Sequence, residues 1–213
     1  MDGIICMTTP TYEKYTAVST CDLADALPRS QFMNYAIHPL WSDMPRFAGR
    51  AYTVSCAPGD HLMVHKAIYE AEPGDILVIK GDPKYAVSGG NVCAIAQKNG
   101  ITGFIVEGVV RDIEEVQALA FPIHALGLCP KPGAKKVLSP ERQTVSVGGV
   151  LVAHGDIIVA DQDGVAVIPQ VNAENALELA KKRHIKDAVQ TIDEWEANHF
   201  ASVQKIIAEL KGI

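Results

Sequence analysis

A chain of 213 residues, 48% apolar and 21% charged, holds enough hydrophobic material for one sizeable core or two small ones. A net charge of −6 leaves no broad basic surface, which argues against nucleic acid as a partner; the one basic cluster, Lys131, Lys135 and Lys136, reads as a solvated loop. Cys6, Cys21, Cys56, Cys93 and Cys129 are odd in number and form no C-x-x-C pair, so they point to reduced thiols in the cytoplasm, not to disulfides or a zinc centre.

Residues 1–11 show little periodicity and no basic-then-apolar leader, and are expected to pack late or fray. No apolar run approaches the roughly 18 residues of a membrane span, so no membrane role is expected. Thr20 is the predicted cap of a short amphipathic helix, CDLADAL, with Leu23, Ala24 and Leu27 inward and Pro28 closing it. Residues 47–55 alternate as a strand, with Ala51, Thr53 and Ser55 opposing Tyr52 and Val54. A turn at Pro58-Gly59-Asp60 starts a helix over 61–70, and a second at Pro73-Gly74-Asp75 starts a strand over 76–79.

The stretch 88–115, SGGNVCAIAQKNGITGFIVEGVVRDIEE, combines a glycine turn, a helix capped by Asn91, and a buried strand over 104–106 and 109–110. Arg111-Asp112 stands at the strand's exit. A helix carrying Val116, Ala118 and Leu119 follows, then a strand over 122–128 and a break at 130–133. Residues 143–152 read as a hairpin around Gly148-Gly149. GDIIVA at 155–160 repeats GDILVI at 74–79, which suggests two similar sheet entries. A last strand covers 165–168, and helical spacing runs from about 172 to 213. No Gly, Pro or Ser-rich linker intervenes, so the expected organisation is one α/β domain over 1–213 with a C-terminal helical extension.

Several residues have chemistry to offer. Arg111-Asp112 is either an Asp N-cap beside a surface arginine, or a site. In the second case Arg111 presents a donor fork to a carboxylate and Asp112 a hard oxygen to Mg²⁺, which takes only one or two protein carboxylates. His61-x-x-x-His65 has zinc spacing, but it lacks the metalloprotease Glu and a third ligand; packed histidines are the simpler account. Gly89-Gly90 is not a phosphate fingerprint. Cys93 has no histidine in its segment and reads as helix packing. His154 reads as a turn histidine, and Asp187 and Glu194 as a solvated helical face.

The central stretch resembles the RraA-like superfamily, specifically its metal-dependent 4-hydroxy-4-methyl-2-oxoglutarate / 4-carboxy-4-hydroxy-2-oxoadipate aldolases. Gly90 is followed by twenty residues, then Arg111-Asp112, then two residues and the acid Glu115, which completes that family's motif. Weaker similarity runs over about residues 15 to 190. The resemblance implies a β/β/α swivelling-domain fold, assembled as a homotrimer or homohexamer with active sites between subunits. It implies that Asp112 holds Mg²⁺ or Mn²⁺, that Arg111 holds a small 2-keto acid, and that backbone amides from Gly90 through Asn91, Val92 and Cys93 receive its carboxylate. It also implies an acid from a neighbouring subunit's C-terminal helix, for which Asp187 is the best match. The aldolases usually carry an acid directly after the motif glycine; here Asn91 stands, which can orient a water but cannot accept a proton. The implied reaction is retro-aldol cleavage of a 4-hydroxy-2-oxo diacid to pyruvate, with decarboxylation of oxaloacetate. The alternatives are a ribonuclease regulator of the same superfamily, or a lyase or hydratase acting on another carboxylate.

Overall fold

The computed structural model describes residues 12–212. The fraying expected of residues 1–11, and Cys6 with it, lie outside that range. In chain order the elements are α1 (Thr20–Ala24), β1 (His38–Pro39), β2 (Phe47–Ser55), α2 (Leu62–Glu70), β3 (Asp75–Lys80), α3 (Gly90–Lys98), β4 (Gly103–Val110), α4 (Ile113–Ala118) and β5 (Ile123–Leu128). They continue as β6 (Val145–Val147), β7 (Val150–Val152), β8 (Ile157–Asp161), β9 (Gly164–Ile168), α5 (Ala173–Val189) and α6 (Ile192–Lys211).

Seven strands form one sheet in the order β1-β5-β4-β3-β2-β8-β9. β2, β3, β4 and β5 run parallel, joined by α2, α3 and α4, while β8 and β9 add antiparallel beyond β2. The segment from Phe32 to Pro39 nearly closes this sheet. Phe32 bridges Ala166 on β9, and β1 pairs with β5 at the opposite edge. The same curl lets His124 on β5 reach the Asp161 carbonyl on β8, at 2.8 Å from Nε2.

Alternation along the strands then sorts side chains to the inside or outside of the curl. Phe47, Ala51, Ile76, Val78 and Ile105 point inward, where the hairpin β6–β7 plugs the interior with Val145, Val147, Val150 and Val152. Tyr52, Val54, Leu77, Ile79, Phe104 and Val106 point outward under α2, α3 and α4. A third cluster joins α1 and the first half of α5 to β8 and β9. Alternation in β2 therefore does not separate a wet face from a dry one. Both faces are covered, as parallel central strands require.

The hairpin turn falls at Gly148-Gly149, both with positive φ (58° and 79°), the geometry a two-residue turn of this hand demands. The two Gly-Asp entries are one device used twice. Asp75 Oδ2 accepts from Glu72 N–H, and Asp156 Oδ2 accepts from Ala153 N–H, each at 2.9 Å. The cap of α1 is Ser19, not Thr20. Its hydroxyl accepts from Asp22 N–H at 3.0 Å, and the Asp22 carboxylate accepts from Ser19 N–H at 2.8 Å, a reciprocal capping box. Thr20 is committed elsewhere: its hydroxyl donates to Asp161 at 2.6 Å.

The C-terminal extension divides into α5 and α6 at a second capping box, Thr191 with Glu194. Glu194 is thus a cap residue, not merely a solvated one. α5 is buried through Ala180, while α6 has no buried residue although it carries Trp195, Phe200, Ile206, Ile207 and Leu210. Among the described residues no helix is long and apolar enough to cross a membrane.

Candidate active site

Everything at the site depends on how β4 ends. Its register against β5 jumps between Val106 and Val109, a bulge, before Val109 and Val110 pair again with Gly127 and Leu128. Arg111 N–H then donates to the Ser88 carbonyl at 3.1 Å, tying the strand exit to the turn before α3. Asp112 takes a left-handed conformation (φ 58°, ψ 42°), one that few residues other than Gly, Asn and Asp adopt readily. Its carboxylate makes no capping bond to α4. It turns back instead: Oδ2 accepts from Gly90 N–H at 3.2 Å and lies 3.3 Å from Arg111 Nε. The simple N-cap account of Asp112 fails on this geometry.

The glycines are needed for room, not for rotation. Gly89 is extended, with φ −166°, and Gly90 has no positive φ. A Cβ on Gly89 would run into Asp112 Oδ2, and one on Gly90 into the Glu115 carboxylate. The first turn of α3 therefore packs directly against the two acids of the motif. Gly90→Ala is expected to cost about 1–3 kcal/mol as an overpacked contact. Thermal melts check it, because truncating the clashing partner, Glu115→Ala, must shrink that cost.

Asn91 is not the cap of α3. Gly89 holds that position without a side-chain bond, and Asn91 sits inside the first turn. Cys93 leaves the set of candidate carboxylate donors, because its N–H is bonded to the Gly89 carbonyl at 3.0 Å. Its thiol is buried against Ser88 Oγ at 3.4 Å, and burial pushes its pKa up to about 12. The Gly90 N–H is taken by Asp112. The amides of Asn91 and Val92 remain, and both residues line the cleft.

That cleft measures about 180 Å³ and brings Arg111, Asp112, Ser88, Gly89, Asn91 and Val92 together. His61, His65 and Lys135 line the same cleft. The expectation that the lysine cluster is only a solvated loop is corrected at Lys135, which faces the site. The imidazoles of His61 and His65 meet edge to face, 4.8 Å between centroids. Burial first, and the nearby Lys135 charge second, lower both pKa values, His65 to about 4. These two are therefore neutral at pH 7. The signal that could have found these lining residues was the one-turn spacing of the histidines directly after a Gly-Asp turn; nothing local in the sequence placed Lys135 beside them. A second hollow by Tyr52 and Arg142 holds about 10 Å³, too little for a keto acid.

Asp187 is not brought to this cleft within one chain. It lies on α5, where Arg183 Nε donates to it at 2.6 Å, in a hollow at the α5–α6 elbow with Trp195. His154 packs edge-on against Tyr52 at 5.3 Å, as a structural histidine does. Among the described residues of one chain no three His, Cys, Asp or Glu side chains cluster to hold a metal, so the His61–His65 pair has no third ligand there. A harder ion has a better match. The Asp112 carboxylate lines the cleft as an oxygen donor, and Mg²⁺ or Mn²⁺ needs only one or two of these beside water.

A parallel core wrapped almost closed, with an Arg-Asp strand exit packed on a glycine helix start, defines a β/β/α protein of the RraA-like class. The chain belongs to that family: the RraA-like model described as Aldolase/RraA matches residues 20–167. A relative from Halalkalibacterium halodurans, provisionally named a 4-hydroxy-4-methyl-2-oxoglutarate aldolase, is 40% identical over 176 residues, 82% of this chain and 83% of its own. The Thermus thermophilus protein named 4-hydroxy-4-methyl-2-oxoglutarate aldolase is 31% identical over 153 residues, 71% of this chain and 92% of its own. Among solved structures, the RNA-processing inhibitor RraA from Thermus thermophilus superposes with a TM-score of 0.64 at 31% identity, covering 71% of this chain and 92% of that one.

Proposed function

We propose that this chain is a divalent-metal-dependent carbon–carbon lyase that cleaves a 4-hydroxy-2-oxo diacid to pyruvate and also decarboxylates oxaloacetate. The observation that carries this reading is the left-handed Asp112, whose carboxylate turns away from α4 and toward Gly90 and Arg111. The names of the aldolase relatives support the reaction class. Asp112 would hold Mg²⁺ or Mn²⁺, with water completing its shell. The ion when bound supplies positive charge at the substrate's keto oxygen.

The chain's own residues do the remaining work. Arg111 and the Asn91 and Val92 amides bind the carboxylate next to the keto group, which fixes the scissile C3–C4 bond relative to Asp112. When that bond breaks, its electron pair moves into C2–C3 and negative charge develops on the keto oxygen. Arg111, at the lining of the cleft, would stabilise this charge. The C4 hydroxyl loses its proton as C4 becomes a carbonyl, and C3 gains one to yield pyruvate. Asn91 can orient a water for this transfer but cannot take the proton. We assign the acceptor to Asp187 of a second copy, in a trimer or a dimer of trimers. The uncovered apolar residues of α6 support such an assembly.

Pyruvate release from oxaloacetate and 4-hydroxy-2-oxo diacids, followed with Mg²⁺ and with EDTA, tests the reading. Activity is expected with Mg²⁺, and its loss with EDTA and in Asp112→Ala. Pyruvate release that survives in Asp112→Ala removes the metal assignment. An inactive protein that instead inhibits RNA cleavage would favour the ribonuclease-regulator reading, which rests on the likeness to the Thermus inhibitor.

A further inference from the structure

Past Ala180 the helix α5 buries no residue, so its second half is held by what its polar side chains reach. Two contacts join it to α1. Arg183 Nη1 lies 3.1 Å from Asp25 Oδ2, and His184 Nδ1 lies 3.3 Å from Asp22 Oδ2. The arginine is the firmer tie. It is charged at every working pH, whereas the histidine contributes a charge only when protonated, and Asp22 is already committed to the Ser19 capping box.

Arg183 also reaches the other way. Its Nε donates to Asp187 Oδ2 at 2.6 Å, one turn further along α5. One guanidinium therefore spans two carboxylates, Asp25 at the end of α1 and Asp187 on α5. Its planar fork suits this task, because separate nitrogens of one rigid group serve the two acids. An exposed pair at this spacing is ordinarily worth only about 0.3–0.5 kcal/mol to stability. What the bridge supplies is placement. With its far end on Asp25, the guanidinium fixes the Asp187 carboxylate relative to α1 and not merely to its own helix. The chain then leaves the helix at Gln190 (ψ 124°), and the Thr191–Glu194 box opens α6, so that Arg183 and Asp187 line the elbow hollow with Trp195. Lys186 and His199 line the same elbow, but among the described residues the ion pair of Asp187 is with Arg183.

We propose that Arg183 is the positioning residue for Asp187, holding its carboxylate at the orientation in which it enters the cleft of a neighbouring copy. This rests on the reading that Asp187 of a second copy accepts the proton of the C4 hydroxyl. Arg183 acts through Asp187 and within its own chain, and Asp25 anchors it from α1.

Steady-state pyruvate release by the full chain with Mg²⁺ gives the first test. Arg183→Ala is expected to lower kcat about tenfold with KM within about twofold, because a misplaced proton acceptor costs rate and not substrate binding. Arg183→Lys should recover part of the loss, and Asp25→Asn, which cuts only the far end of the bridge, should lower kcat in the same way but less. Mixed oligomers then locate the effect. Asp112→Ala and Asp187→Asn chains, co-expressed with different tags and purified through both, join an intact Asp112 to an intact Asp187 at some interfaces and should regain pyruvate release. Adding Arg183→Ala to the chain that supplies Asp187 should lower the regained rate about tenfold, and adding it to the other chain should change it less than about twofold. A general loss of folding or assembly would not distinguish the two chains. An unchanged kcat in Arg183→Ala, or an equal effect from either chain, overturns the proposal while leaving Asp187 in place. Wild-type kcat in Asp187→Asn, or no regained activity in the mixed oligomers, instead removes the acceptor reading, and the role of Arg183 goes with it.

Discussion

On the proposed lyase reading, Arg111→Ala is expected to lower kcat/KM for pyruvate release by roughly 10²- to 10³-fold, the loss of about 2.7–4 kcal/mol that follows removal of one preorganised oxyanion donor. Two features of the site put the effect at that scale. The backbone of Arg111 is locked to Ser88 at 3.1 Å, so its guanidinium starts from a fixed point. Among the described residues its one ion pair is with the adjoining Asp112, at 3.3 Å, which leaves most of its donors unused. Arg111→Lys should recover little, because an ammonium cannot span carboxylate and keto oxygen with a planar fork. The loss belongs in kcat as well as KM, since the donor matters most where charge develops. Steady-state pyruvate assays on the three proteins decide it. A change confined to KM would make Arg111 a binding residue without a share in the chemistry.

Between pH 6.5 and about 4 the fold should lose stability on the order of 3 kcal/mol through His124 alone. This side chain is fully buried on β5, packed 5.7 Å from the Phe47 ring, with Nε2 bonded to the Asp161 carbonyl and Nδ1 unpartnered. Burial lowers its pKa to about 4. The sign follows directly. Below the ordinary histidine pKa of about 6.5 the unfolded chain takes a proton that the folded chain refuses until about 4, so acid draws the equilibrium toward unfolding. His65, lowered to about 4 at the cleft, adds in the same direction. Urea midpoints at pH 8 and pH 5 for wild type and His124→Gln provide the measurement. The variant is less stable at pH 8 but should show a shallower fall with pH, by about one proton's slope. An unchanged slope would mean that His124 is not the titrating group.

The sequence carried the local part of this. Gly-Asp turns and the Gly148-Gly149 hairpin were legible because each is a matter of a few adjacent residues and their backbone preferences, whereas the bulge in β4 was not. The spacing from Gly90 to Arg111-Asp112 was legible too, since a helix and a strand of ordinary length fix how far apart their ends lie. Misreadings arose where two local solutions were equally good. Ser19 and Thr20 are both good caps, and only Asp161, 141 residues away, takes Thr20 out of contention. Asn91 and Asp112 both looked like side-chain caps; Asn91 lies inside the first turn of α3, and Asp112 holds the N-cap position of α4 without a side-chain bond.

What the amino-acid sequence determined by itself is therefore the framework: strands alternating with helices, and the spacing that links an Arg-Asp pair to a glycine turn. What the tertiary structure alone decided is the rest of the cleft lining. Lys135 reaches His61 and His65 only because Gly59, Asp60 and His61 pair with a loop about seventy-five residues further on, and no short-range pattern encodes such pairing. It also decided what the glycines are for. Chain order suggests conformational freedom at Gly89 and Gly90. Packing shows that side chains are missing there because the Asp112 and Glu115 carboxylates occupy the space.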